Sequence, residues 1–437
     1  MKRNLMKTLV LAVLLTLVLL PSAFAKGSQE SAAGTITLSV WINNSDSYIG
    51  PEEQKLPQEQ WYISKAFKRF EAENPGVKIE LTVPPDQEGA HQSFKAAGLA
   101  GNAPDIANLW SGQPIFALKD VILPLDNLVQ AADLKNIWGW ESVREGFKSN
   151  GTILGYPASQ NQLCFFIYNK KIVKDAGLDF EAKPPKTIEE FDAACAKIKA
   201  IGKQPIVVDE SFPWFYLWIG QYWWAQITGG DVISQETIGL KKFSDDKALI
   251  DSLVYYNKLY KNGYLNSDMG TSADSWNRFL QGEAAMYPAV TSFLADAESA
   301  LGADAGALAP PEFTATAKVK NSLIGGPGQS MVVSKNSKHP ELAVKLLSFL
   351  NSKKEVLEAQ KVMPVPPIRT DLSTQELGWA PNSNISKLFQ YSSTYMYWID
   401  NRLTPPVADV YYKQLTLVGL GKMTPQELAA EMDKVSK

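Results

Sequence analysis

Cysteine and histidine are nearly missing from this chain, with two of each in 437 residues. His91 and His339 stand far apart, and Cys164 and Cys195 make no CxxC or other close-spaced pair. A transition-metal centre therefore has too few nitrogen and sulfur donors to draw on. Each cysteine falls in an apolar pattern, Cys164 in "QLCFFIYN" and Cys195 on the stripe Phe191, Ala194, Cys195, Ile198, which reads as buried free thiols rather than a disulfide. Positive charge is short as well. Setting aside Lys2, Arg3 and Lys7 leaves 40 Lys and Arg against 46 Asp and Glu, a net charge of −6. Such a balance gives no electrostatic reason to seek nucleic acid or an anionic membrane. No internal repeat and no recognisable cofactor motif stands out. "GGPGQS" (325–330) resembles a phosphate cradle, but it leads into the apolar "MVV" instead of a helix and reads as a loop or hinge.

What is present begins with an export signal. Lys2, Arg3 and Lys7 precede the apolar run "TLVLAVLLTLVLL" (8–20), and "AFA" (23–25) supplies small residues for cleavage after Ala25. The apolar run is too short to span a bilayer, and no cysteine follows it to carry a lipid anchor. The expectation is a soluble periplasmic protein whose remaining length exceeds one core, so two domains.

Strand and helix signals alternate. "TITLSVWI" (35–42) is rich in β formers, and Ile63, Ala66, Phe67 and Phe70 follow at helical spacing until Pro75-Gly76. "VKIELTV" (77–83) alternates as a half-buried strand, and a helical stretch from His91 to Leu99 leads to the strand "PDIANLW". The pattern recurs with "LCFFIYN", a helix opened by Thr187 and Glu190 as a capping box, and "QPIVVDE" (204–210). Helices are also marked at 340–351 and 424–437. The class is α/β, with mostly parallel sheets covered on both faces.

Aromatics gather where strands end. "PWFYLWIGQYWWAQ" (213–226) holds seven between Trp214 and Trp224, and no charge occurs from Pro213 to Gly230. Trp41 is followed by Asn43 and Asp46, Trp110 by Ser111, and Asp209 and Glu210 by Phe212. Ligands of open α/β sheets sit outside the carboxyl ends of strands. Rings beside uncharged or acidic side chains suit a sugar, whose C–H face stacks on an aromatic and whose hydroxyls need directed partners. At helical spacing 214, 218, 221, 222 and 225 share a face, so about half of the seven rings are expected in the core and the rest, with Trp214, Tyr216 and Trp223 as candidates, in a crevice.

"FEAENPGVKIELTV", "GNAPDIANLW", "GYPASQNQLCFFIYNKKIVKDAGL", "PPKTIEEF", "FLQGEAAMYP" and "VVSKNSKHPELAVKLLSFL" together resemble the extracellular sugar-binding proteins of bacterial ABC importers, of the maltodextrin-binding type. That resemblance implies a periplasmic binding fold of type II, with two discontinuous lobes joined by a hinge. Its lobes would be 26–159 with 288–325, and 160–287 with 326–437, crossing near Ser159-Gln160, Tyr287-Pro288 and Gly325-Gly326. It also implies ligand contacts from Asn43, Asp46, Trp110, Asn161, Glu210, Phe212, Trp214, Trp398 and Asp400, no cofactor, a carbohydrate ligand, a membrane permease as partner and a monomeric state. After "GEAAM" the family commonly has a glycine and then a cleft tryptophan; here Val290 and Ser292 stand at those places, with Phe293 next to them.

Two other classes compete with this expectation. A glycoside hydrolase needs two carboxyls about 5 to 9.5 Å apart, and no spacing here fixes Asp46 against Glu210. A binder of another polar solute, such as glycerol phosphate or a polyamine, is compatible with Arg369 and Arg402.

Overall fold

The computed structural model describes residues 34–42, 48–50, 52–84, 89–158, 160–210 and 212–437. The export signal, Asn43 and Asp46 lie outside them. The fold is two-lobed α/β, each lobe built on its own sheet.

In the first lobe β1 (Ile36–Trp41) lies between β2 (Val77–Thr82) and β3 (Ile106–Trp110), all parallel. The helix Tyr62–Glu73 returns the chain from β1 to β2 and turns Ile63, Ala66, Phe67 and Phe70 into the core, as its spacing predicts. The helix Ala90–Leu99 makes the second crossover. β4 (Tyr156–Pro157) closes the sheet through β10, described below.

The second lobe is centred on β5 (Gln162–Asn169), almost entirely buried. β6 (Gln204–Ile206) joins it through β7 (Ala284–Val290), which pairs antiparallel with β5 from Cys164↔Val290 to Tyr168↔Met286. The other edge of β5 is shared by β8 (Ala305–Leu308) and β9 (Ile324–Gly326), both antiparallel, and β11 (Met396–Tyr397) lies on β9. The expectation of a mostly parallel sheet is therefore corrected here. A continuous apolar run reports burial on both faces but not strand direction.

The lobe boundaries are corrected too. Residues 288–325 stay with the second lobe, because Tyr287 and Pro288 sit inside β7 opposite Ile167 and Phe166, and Ala289, Leu294, Ala297 and Leu323 pack in its core. The segment that returns to the first lobe is β10 (Gln329–Val333), antiparallel to β3 and β4, with the helix Pro340–Leu350 and residues to Ile368. Gly325 permits the crossing there, since a Cβ on it would stand 2.3 Å from the Gln162 carbonyl oxygen.

Caps hold where the sequence places them. Thr424 and Glu427 form a reciprocal capping box ahead of Pro425–Val435. Thr187 accepts from the Glu190 N–H, while Glu190 reaches back to the Lys186 N–H, one residue earlier than a capping box requires. Cys164 and Cys195 are both buried and unbonded to each other. Among the described residues no helix is long and apolar enough to cross a membrane.

Candidate functional site

The aromatic stretch begins with a π-type turn, Tyr216–Gly220, that runs into the α-helix Gln221–Thr228. A π turn winds more widely than 3.6 residues, so the face counted from Trp214 at α-helical spacing does not survive it. Six of the seven rings are consequently buried and only Trp214 is open, at 40 % exposure. The even split expected from periodicity is corrected in favour of the core. Tyr216 pairs its hydroxyl with Ser252 Oγ at 2.5 Å, and Trp223 donates from Nε1 to the Pro311 carbonyl at 3.1 Å, both fully buried. These two expected contacts face inward because the turn rotates them onto the helix Lys247–Lys261 and the 311–313 loop.

Trp214 is instead one member of a continuous wall. Tyr412 and Phe212 have ring centroids 5.0 Å apart, Phe212 and Trp214 4.4 Å, and Trp214 and Trp218 4.8 Å. Trp218 meets Phe293 edge-on at 5.8 Å, and Phe293 meets Trp276 edge-on at 5.1 Å. Phe293 and Trp276 then line a hollow of about 530 Å³ whose opposite side comes from the first lobe, with Glu52 and Val362–Val365. Phe293 thus occupies the place next to the missing tryptophan, and Trp276 stands beside it. Neither Trp276 nor Tyr412 was singled out from the sequence, since nothing in "SADSWNRF" or "DVYYKQ" marks a ring as cleft-facing.

Other expected residues hold the framework of this region. Glu210 is buried, accepting from the Phe215 N–H at 3.0 Å and the Tyr256 hydroxyl at 2.7 Å, which pins the start of the aromatic helix. Burial pushes its carboxyl up to about 8, and those two hydrogen bonds pull the other way. Asp400 accepts from the Tyr412 hydroxyl at 3.1 Å, its Oδ1 has no partner, and burial pushes it up to about 6. Trp398 donates to the Gly326 carbonyl at 3.0 Å across the crossing. Asn161 is buried at the first crossing; its backbone N–H bonds the Pro366 carbonyl at 2.6 Å and its Nδ2 the Ser392 carbonyl at 3.3 Å.

On the first lobe, Trp110 is half-buried at the end of β3. Its backbone N–H donates to His91 Nε2 at 3.0 Å, and the two rings lie 5.7 Å apart. Burial lowers His91 to about 4, so it is neutral at pH 7 and free to accept. Ser111 Oγ bonds the Pro327 carbonyl at 2.7 Å and the Tyr397 hydroxyl at 2.6 Å, tying the β3 end to the second lobe. Nearby, Arg402 lays its guanidinium 4.4 Å from the ring centroid of Phe147 and donates to Ser234 Oγ at 3.2 Å. Its Nε is buried without a partner, and burial lowers its pKa. Phe147 holds φ at 58°, a strained value for a bulky residue. No group of His, Cys, Asp or Glu among the described residues could hold a metal ion.

A family model described as bacterial extracellular solute-binding protein matches residues 65–384. Among curated relatives, the sn-glycerol-3-phosphate-binding periplasmic protein UgpB of Escherichia coli O6:K15:H31 (strain 536 / UPEC) is 25 % identical over 432 residues, 93 % of each chain. Among solved structures, a chitin oligosaccharide binding protein superposes with a TM-score of 0.75 at 22 % identity, covering 92 % of this chain and 98 % of that one. RafE in complex with raffinose gives 0.68 at 17 % identity, covering 92 % and 99 %. These two likenesses concern the fold.

Proposed function

Because the chain belongs to the bacterial extracellular solute-binding protein family, we propose that it captures a di- or oligosaccharide between its lobes and delivers it to the permease of an ABC importer. The observation that carries this reading is the wall of rings from Tyr412 through Trp214 to Trp276, which ends in a hollow bounded by both lobes. Stacked rings desolvate the apolar face of a pyranose, and binding across the cleft gives the closed state its differential contact energy. Trp214, Phe212 and Asp400 serve as the second-lobe contacts, with Trp110 on the first; Asn43 and Asp46, which follow β1 in the sequence, complete the set. Glu210 and Asn161 act by holding their neighbours in place. The ligands of the similar solved structures, chitin oligosaccharide and raffinose, support the ligand class.

The protein works without catalysis or cofactor, as a monomer exported by a signal cut after Ala25. Mass measurement of the exported protein checks the cleavage site. Incubation with candidate glycosides should release no reducing ends. A thermal-shift screen against a sugar panel tests the main reading, since a ligand held only by the folded form raises Tm. A panel without a single shift removes it.

A second reading, an anionic solute, is favoured by Arg402, whose buried Nε has no partner, and by the ligand named for the UgpB relatives. A Tm rise with glycerol 3-phosphate and none with neutral sugars would select it.

A further inference from the structure

The hollow between Trp276 and Phe293 on one side and Val362–Val365 on the other is lined mostly by apolar side chains, with the carboxylates of Glu52 and Asp296 and the Ser299 hydroxyl at its exposed rim, and several of its polar groups already hold partners. Asp296 Oδ2 accepts from the Trp276 indole at 2.9 Å. Thr291 Oγ1 donates to Gln162 Oε1 at 2.8 Å, and the same oxygen takes the Ser292 N–H at 3.1 Å. Glu52 pairs with Lys55 at 2.5 Å. Of the first-lobe lining, Met363 and Val365 are buried, and Val362 and Pro364 turn outward. Met363 Sδ is taken by Gln160 Nε2 at 3.2 Å. Phe293 and Trp276 stand perpendicular, so one presents an edge and the other a face to whatever enters.

Along the side formed by Phe293 and Val362–Val365 a sugar hydroxyl finds no polar side chain to pair with, which is unfavourable wherever water is excluded. An apolar substituent loses nothing there and leaves water. We propose that this end of the cleft receives an apolar substituent of the sugar, an acyl methyl or an aryl group, and that the ligand is a substituted rather than a plain glycan. The inference rests on the sugar-binding reading above and sharpens it.

Calorimetric titration of the mature protein with matched probes tests it: glucose against N-acetylglucosamine, cellobiose against N,N′-diacetylchitobiose, and both anomers of phenyl glucoside against glucose. The acetamido arm and the phenyl arm separate the two kinds of substituent. Expected is a substituted probe that binds roughly 10-fold or more tightly than its plain counterpart. The ratio should shrink toward one in Val365→Thr, which keeps the volume and adds a hydroxyl, and in Pro364→Ser at an exposed position that tolerates change. Plain sugars binding as tightly as every substituted partner overturns this inference and leaves the sugar reading standing. A ratio unmoved in both folded variants overturns it too, by placing the substituent elsewhere. If none of these probes nor any sugar of the wider panel binds, the underlying reading falls first and this one with it.

Discussion

The two lobes bring different equipment to the cleft between them. The second carries a wall of six rings, most of them anchored in its core, while the first is proposed to contribute Trp110 at the end of β3, whose backbone N–H is bonded to His91. Their buried ionisable groups also differ in sign. Glu210 behind the second-lobe wall is pushed up to about 8, and His91 behind Trp110 is pushed down to about 4, each by burial that favours the neutral form. On the sugar-binding proposal, the contrast becomes a division of labour in which a rigid aromatic platform would supply affinity and a lighter face would close over the ligand.

The sharpest test separates rings that build the platform from rings that form its surface. Trp223→Ala removes a fully buried indole and its bond to Pro311, and should lower folding stability by about 3 to 5 kcal/mol, read from denaturant midpoints. The sugar affinity of the protein that remains folded should change little. Trp214→Ala should do the reverse. It should weaken sugar binding by about 2 to 4 kcal/mol in calorimetry with only a small change in Tm, because its ring is 40 % exposed. If both variants lose stability alike and neither loses affinity, the wall is only core.

Much of this frame could be read from residue spacing, and the failures have physical causes. The stripe of Ile63, Ala66, Phe67 and Phe70 and the box at Thr424 are local signals, and both stand as read. Trp110 and Trp214 were reached from strand-end logic, and neither is hidden in the core. Tyr216 and Trp223 were misplaced because a π turn cannot be seen in a hydrophobic pattern, although Gly220, whose Cβ would stand 2.4 Å from Tyr216 Cδ2, is the residue that permits it. The placement of 288–325 came from the family resemblance and not from residue spacing, and the pairing of β7 with β5 sets the start of that segment in the second lobe. Trp276 and His91 act through contacts distant in sequence, which no single-chain pattern encodes.

The opposite pKa shifts give the comparison a pH signature. Glu210 holds its proton more tightly folded than unfolded, so between about 4.5 and 8 its contribution to stability falls as pH rises. His91 binds its proton more weakly folded, so stability falls as pH drops from about 6.5 to 4. Each slope is bounded by about 1.4 kcal/mol per pH unit. Glu210→Gln should remove the fall in stability with rising pH between about 4.5 and 8, and His91→Gln the fall on acidification between about 6.5 and 4, in Tm measured across pH. A mutant that flattens the other lobe's slope breaks the assignment.

The smallest effect is expected on the first lobe. Trp110→Ala should weaken sugar binding by about 1 kcal/mol if, as proposed, this one half-buried ring meets the ligand, and its loss leaves the second-lobe wall intact. Its backbone N–H survives the substitution, so the His91 bond and the acid slope should persist, and the change should therefore report the side chain alone. Calorimetry on Trp110→Ala, Trp214→Ala and the double variant decides the matter. Losses that add within about 0.5 kcal/mol mean two independent faces on one ligand. A Trp110 loss as large as that of Trp214, or a double variant no weaker than Trp214→Ala, would mean that the first lobe shares the platform rather than closing over it.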